Sequence, residues 1–239
     1  MKHSLVALRQ SRSPLRPALH SIVRSALQAS LAAALAAACA SCSTPTASER
    51  FYTLSDGSSE SGTIATTGVA SSMASGQVAG IVNSAVTVPE LIDRPQIVTR
   101  DGANRVNVAE QQLWAEPVKN GIGRVLAVRL TKALADAGRP ARVAAYPQAS
   151  IANPALRITI DVQRFDAVPG GDAVIDVLWS VRRASDDNIR SGRTVASRPI
   201  ATATYDDTVR AWSETLEVLN RDIVAVVLQI DLTPPPRSR

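Results

Sequence analysis

Two thiols, Cys39 and Cys42, and two imidazoles, His3 and His20, have the widest chemical scope in the sequence, and all four stand within its first 42 residues. From residue 43 onward there is neither Cys nor His. That inventory cannot supply the histidine base of a Ser-His-Asp triad, nor a Cys/His zinc cluster. Asp and Glu are plentiful, and a pair flanking a bond could do acid–base work, but no pair stands out by its spacing from ordinary solvated charge. The expectation is no enzyme, no cofactor and no metal. The remaining chemistry is chemistry done to a cysteine.

Residues 1–24 carry Lys2, Arg9, Arg12, Arg16 and Arg24 and no acid; Ser25 to Ala38 is then uncharged and rich in Ala and Leu. A basic region followed by a short apolar one reads as an export signal. Its 13 apolar-side residues from Ala26, interrupted by Gln28 and Ser30, fall short of the roughly 18–20 that span a bilayer as a helix. Leu35-Ala36-Ala37-Ala38-Cys39 resembles a lipobox, where signal peptidase II cuts before a diacylglycerol-modified Cys. Small residues fit a narrow protease site, and the thiol accepts the lipid. Cys39 is preferred to Cys42, which would need Cys39 itself at the third position before the cut. The plainer alternative is a secretory signal with Ala-X-Ala cleavage and two incidental cysteines.

Removing residues 1–38 changes the electrostatics. Five of the 26 Lys and Arg leave with the signal, and the remaining 21 balance 21 Asp and Glu. The strongly basic balance belongs to the leader, so a nucleic-acid partner loses its support.

The elements that follow suit one domain over residues 51–232. Residues 39–50 form the lipidated Cys and a flexible tether, and 233–239 a disordered tail. Phe51-Tyr52-Thr53-Leu54 reads as a strand. Ser55 to Gln77, dense in Ser, Gly, Thr and Ala, is expected to be a disordered insertion. Val78 to Val88 resumes order before a proline-bounded turn, and Gln96–Thr99 and Arg105–Val108 flank Asp101-Gly102-Ala103-Asn104 as a hairpin. From Pro117, apolar residues at Val118, Ile122, Val125, Leu126, Leu130 and Leu134 take helical spacing, ended by Gly138 and Pro140. Arg142 to Tyr146 can form a strand. Leu156, Ile158, Ile160 and Val162, then Ile175, Val177, Trp179 and Val181, alternate with polar residues as half-buried strands. Ser191 to Thr204 reads as a polar edge strand. Val209, Trp212, Leu216, Leu219, Ile223, Val226 and Ile230 mark a long second helix. The fold class expected is α+β: a two-layer domain, its sheet mostly antiparallel, with two main helices on one face.

Phe51-Tyr52-Thr53-Leu54 after the lipobox, Val86-Thr87-Val88-Pro89 with Arg94-Pro95-Gln96-Ile97-Val98-Thr99-Arg100, and Leu113-Trp114-Ala115-Glu116-Pro117 opening a helix resemble the PqiC family of ABC-type transport auxiliary lipoproteins, also called membrane integrity-associated transporter subunits. The resemblance runs from about residue 50 to 230. The Ser/Gly-rich stretch after the first strand is longer than the family's. What the resemblance implies is an outer-membrane lipoprotein facing the periplasm. Its partners would be inner-membrane components and mammalian-cell-entry (MCE) domain proteins that bridge the periplasm and move phospholipids or other hydrophobic molecules, and a homo-oligomeric ring is part of that expectation. Ala40, not Asp, after Cys39 is consistent with forwarding to the outer membrane.

Leu113, Trp114 and Pro117 are the candidate docking residues, since aromatics are favoured at interface centres. The alternative is that Trp114 packs against its own helix. Two other roles stay open: a stand-alone lipid- or ligand-binding lipoprotein, which needs an apolar cavity between sheet and helices, and an assembly factor for a different envelope machine.

Overall fold

The computed structural model describes residues 48–57, 79–146, 151 and 153–230. All lie in the second of the two units into which the chain divides, which begins at Ser48. The elements are β1 (Arg50–Tyr52), β2 (Ala79–Thr87), β3 (Gln96–Arg100), β4 (Val106–Trp114), α1 (Val118–Asp136), β5 (Ala141–Ala145), β6 (Leu156–Ala167), β7 (Asp172–Arg183), β8 (Ile189–Pro199) and α2 (Tyr205–Val227). The expected signal, Cys39, Cys42, most of the expected insertion and the tail lie outside the described residues. Ser55 and Asp56, expected at the start of that insertion, are bonded into the domain: the Ser55 N–H donates to Ser213 Oγ, and the Asp56 carbonyl accepts from Arg129.

The fold is α+β, as the alternating strands and the two apolar-faced helices imply. The strands form two sheets rather than one, ordered β1-β4-β3 and β5-β2-β6-β7-β8. Both hairpins of the second half are antiparallel: β6 runs through Val168–Gly171 into β7, and β7 through Ala184–Asn188 into β8. However, β2 pairs in parallel with both β5 and β6, and β1 in parallel with β4. Parallel neighbours need a crossover, and α1 lies on the path from β2 to β5.

Both helices cover one face of the larger sheet and touch each other, α1 over β2 and β5, α2 over β7 and β8. Ile158, Ile160, Val177 and Val181 point into that layer and are buried, while Thr159, Leu178 and Arg182 on the opposite face are exposed. Among the described residues, the largest fully buried side chain is Trp212 of α2, 1% exposed. It stacks on Phe165 of β6 with ring centroids 4.6 Å apart and meets Trp114 at 5.8 Å. Its indole N–H donates to the Asp166 carbonyl at 3.0 Å. Tilted and offset pairs of this kind add to the area that each ring buries.

α2 begins earlier than the apolar spacing indicates. Thr204, expected as the end of the edge strand, instead caps the helix: its hydroxyl accepts from the Asp207 N–H at 3.2 Å. Asp206 and Asp207 fill the first turn, where acids complement the helix dipole. The edge strand therefore stops at Pro199, after which no ladder N–H is available from that residue.

Trp179 of β7 reaches across to β8. Its Nε1–H donates to Thr194 Oγ1 at 3.0 Å, and that hydroxyl donates to Asp222 Oδ2 of α2 at 2.6 Å. The ring lies over Gly192, where an added Cβ would come 2.3 Å from the indole. In an open strand, alanine would gain roughly 0.5–1 kcal/mol over glycine. Here overpacking of about 1–3 kcal/mol opposes it, so Gly192→Ala is expected to lower stability by about 1–2 kcal/mol in denaturant titration. A gain in stability would show that the indole does not occupy that space.

Candidate anchoring and docking site

The domain is entered at β1, and two arginines of α1 fix that entrance. The Arg124 Nη2 donates to Thr53 Oγ1 at 2.8 Å and to the Leu54 carbonyl at 2.9 Å, while its Nε donates to Glu116 Oε1 at 2.9 Å. Arg129 spreads one guanidinium over three backbone carbonyls: Nε to Asp56 at 3.0 Å, Nη2 to Ser55 at 2.9 Å and Nη1 to Ser213 of α2 at 2.8 Å. A planar fork with several donors can do this where a lysine ammonium cannot. Burial pushes the Arg129 guanidinium below its ordinary value, against the opposing charges of Glu217 and Asp56. Leu54 packs beside Gly121 of α1, its Cδ1 3.5 Å from where a Cβ would stand, an ordinary contact distance. The Tyr52 carbonyl accepts from the Ala115 N–H, and the Tyr52 hydroxyl donates to Gln112 Oε1 at 2.6 Å.

Of the sequence-predicted docking residues, Trp114 faces inward. It is 8% exposed, and its ring meets Phe165 of β6 at 6.4 Å and Trp212 of α2 at 5.8 Å, partners other than the helix that Pro117 opens. Leu113 is half-buried and pairs in register with Phe51 of β1, which is 60% exposed. Pro117 is exposed at the N-cap of α1 and supplies no side-chain cap. Phe51 beside Leu113 is thus the outward apolar pair at the domain entrance. Sequence reasoning took Phe51 only as a strand residue.

A second surface feature is an open groove of about 450 Å³ on the helix-free face of the larger sheet, lined among others by Thr159, Asp161, Leu178, Ser180, Ser191 and Arg193. Arg193 of β8 bonds both oxygens of Asp176 on β7, at 2.8 and 2.6 Å. That hydrogen bonding holds the Asp176 carboxyl below its usual value and the Arg193 guanidinium above its own. Arg183 does the same to Asp186, and the Thr202 hydroxyl does so to Asp207, helped by Arg210 and Thr204. These carboxylates are shifted downward, whereas a general acid working near neutrality needs an upward shift. Because each is lowered on folding, its stabilising contribution is present above the normal carboxylate range and is lost as pH falls through the folded-state value. Among the described residues there is no cluster of His, Cys, Asp and Glu able to hold a metal, and no helix long and apolar enough to cross a membrane.

Comparison with known proteins gives the same picture at the level of fold. The crystal structure of an uncharacterized protein superposes with a TM-score of 0.58 at 15% identity, covering 75% of this chain and 99% of the other. A Xanthomonas campestris protein of the DUF330 family superposes at 0.50 with 21% identity, covering 64% of this chain and 85% of that one. No curated protein matches. The family described as ABC-type transport auxiliary lipoprotein component matches residues 63–224, a span that takes in α1, every strand but β1, and α2 as far as Val224. On that match, the chain belongs to the family of ABC-type transport auxiliary lipoprotein components.

Proposed function

We propose that this protein is an outer-membrane-anchored periplasmic subunit of an MCE-type system that moves phospholipid or other hydrophobic molecules between membranes, and that it thereby maintains envelope integrity. Its partners are an MCE-domain protein spanning the periplasm and inner-membrane transporter components, with further copies of itself in a homo-oligomer. The observation that carries the reading is the pinned entrance of the domain. Arg124 and Arg129 hold residues 53–56, and Cys39 precedes Arg50 by eleven residues. Fully extended, such a leash spans at most about 36–40 Å. A lipid on Cys39 therefore keeps the rigid domain close to its membrane, and a machine that bridges the periplasm must come to it. A triacylated cysteine exceeds the two lipid signals that stable anchoring requires. The space between sheets and helices is filled by Trp114, Phe165 and Trp212, which supports docking over an interior ligand cavity.

With Cys39→Ser as the cell's sole copy, the protein is expected to move almost wholly from the outer-membrane fraction to the soluble periplasm. Detergent sensitivity should then match that of cells lacking the protein. Retention of Cys39→Ser in the membrane together with loss of Cys42→Ser would assign the lipid to Cys42. Full envelope protection by a soluble Cys39→Ser protein would refute the need for an anchor.

A further inference from the structure

Strand β8 ends the larger sheet, and among the described residues no strand pairs with its outer edge. An unpaired edge offers a row of N–H and C=O groups to any extended chain, and proteins usually keep such edges short, bulged or interrupted. The other terminal strands obey that rule: β1 has three residues, and β3 and β5 have five each. β8 has eleven, every one in unbroken register with β7 from Ile189↔Arg182 to Pro199↔Asp172, and only the last, Pro199, has no N–H to offer. At strand rise this is an edge of roughly 36 Å.

Its side chains are one-signed. Arg190, Arg193 and Arg198 are its only charged residues. Arg193 is neutralised by Asp176. Among the described residues, Arg190 reaches only the amide oxygen of Gln229, at 3.3 Å, and Arg198 only the Ser197 carbonyl. These two stand eight residues apart on the helix side of the strand, about 26 Å from each other. On the opposite side, Ile189 and Val195 are 55% and 62% exposed, beside the groove over Leu178.

We propose that the free edge of β8 is a docking site for an extended, acidic segment of a partner protein, which adds to the larger sheet as a sixth strand. Backbone hydrogen bonds supply its affinity, as in other strand additions. Acidic residues opposite Arg190 and Arg198 and apolar ones beside Ile189 and Val195 supply its selectivity. The same arginines deter a second copy, because antiparallel β8 strands centred on Thr194 would set Arg190 against Arg198 of the other copy, and like charges directly opposite are destabilising. The chain's own residues 231–239 fit poorly, with three prolines that lack N–H groups and two arginines.

The test uses the full chain and an eleven-residue synthetic peptide of alternating threonine and valine, with two glutamates eight positions apart. Affinity is read by fluorescence anisotropy, and the contact by amide hydrogen exchange. The peptide is expected to bind and to slow exchange of those β8 amides that do not face β7. Lysine in place of both glutamates should weaken it at least tenfold, and backbone N-methylation should abolish it. Charge reversal by Arg190→Glu with Arg198→Glu should invert the preference, and the milder Arg190→Gln with Arg198→Gln should erase it. Equal binding of the two peptides, protection elsewhere, or no binding at millimolar peptide would overturn the proposal. So would outward β8 amides already protected in the free protein: independently of concentration if a segment of the same chain occupies the edge, and increasingly with concentration if a second copy does.

Discussion

Trp212→Ala is expected to lower the unfolding free energy by about 3–5 kcal/mol, the range for emptying a large buried aromatic site. The ring is the point at which α2, β4 and β6 meet. Its removal takes away the stack on Phe165, the tilted contact with Trp114 and the hydrogen bond to the Asp166 carbonyl together. The surroundings cannot close the gap cheaply, because Phe165 and Trp114 are held by their own strands. For a domain of this size each kcal/mol shifts the midpoint by roughly 2–4 °C, so thermal unfolding should fall by on the order of 10 °C. Trp212→Phe, which keeps a ring and loses the donor, should cost far less. A loss below about 1 kcal/mol for the alanine variant, measured by chemical denaturation, would mean that this cluster does not hold the two sheets to the helix.

The second large effect is expected at Arg129. Arg129→Met keeps the apolar stem and removes the guanidinium, leaving the carbonyls of Ser55, Asp56 and Ser213 without their donor. Hydrogen bonds to a charged group contribute about 1.5–3 kcal/mol each when fully sheltered. The site is half-buried and water can replace part of the loss, so a total of about 2–3 kcal/mol is expected. The variant also has a local signature. The Ser55 amide, bonded to Ser213 Oγ, and the Ala115 amide, bonded to the Tyr52 carbonyl, should exchange faster, while β6 and β7 amides change only through the global term. Arg129→Lys should recover little, since an ammonium cannot span three carbonyls. Uniform acceleration across all strands would show that the entrance is not a separate clamped unit.

What the sequence made legible follows from which interactions are local. Alternation in Leu156–Val162 and Ile175–Val181 marks the buried face of β6 and β7, which Val168–Gly171 joins as a hairpin. Strand direction is not encoded in alternation, so the parallel placement of β2 between β5 and β6 was not readable. Nor was the inward face of Trp114. Ala109 and Trp114 are both buried although five residues apart, because the β3–β4 register shifts between Gln96 and Ile97, and such an irregularity resets which side chains face the core. Thr204 carries a local signal of its own, Thr204-Tyr205-Asp206-Asp207 before an apolar helical run. The Arg129 clamp left none, since its partners lie 73 to 84 residues away in sequence.

Isolation of the protein from crosslinked envelopes decides whether it is a lipid-anchored subunit that meets a periplasm-spanning transporter. Mass spectrometry then reads its N-terminal peptide and its partners together. A triacylated peptide beginning at Cys39 and a crosslinked MCE-domain protein are the expected result. An unlipidated N-terminus, or crosslinks confined to components of a different envelope machine, would contradict it.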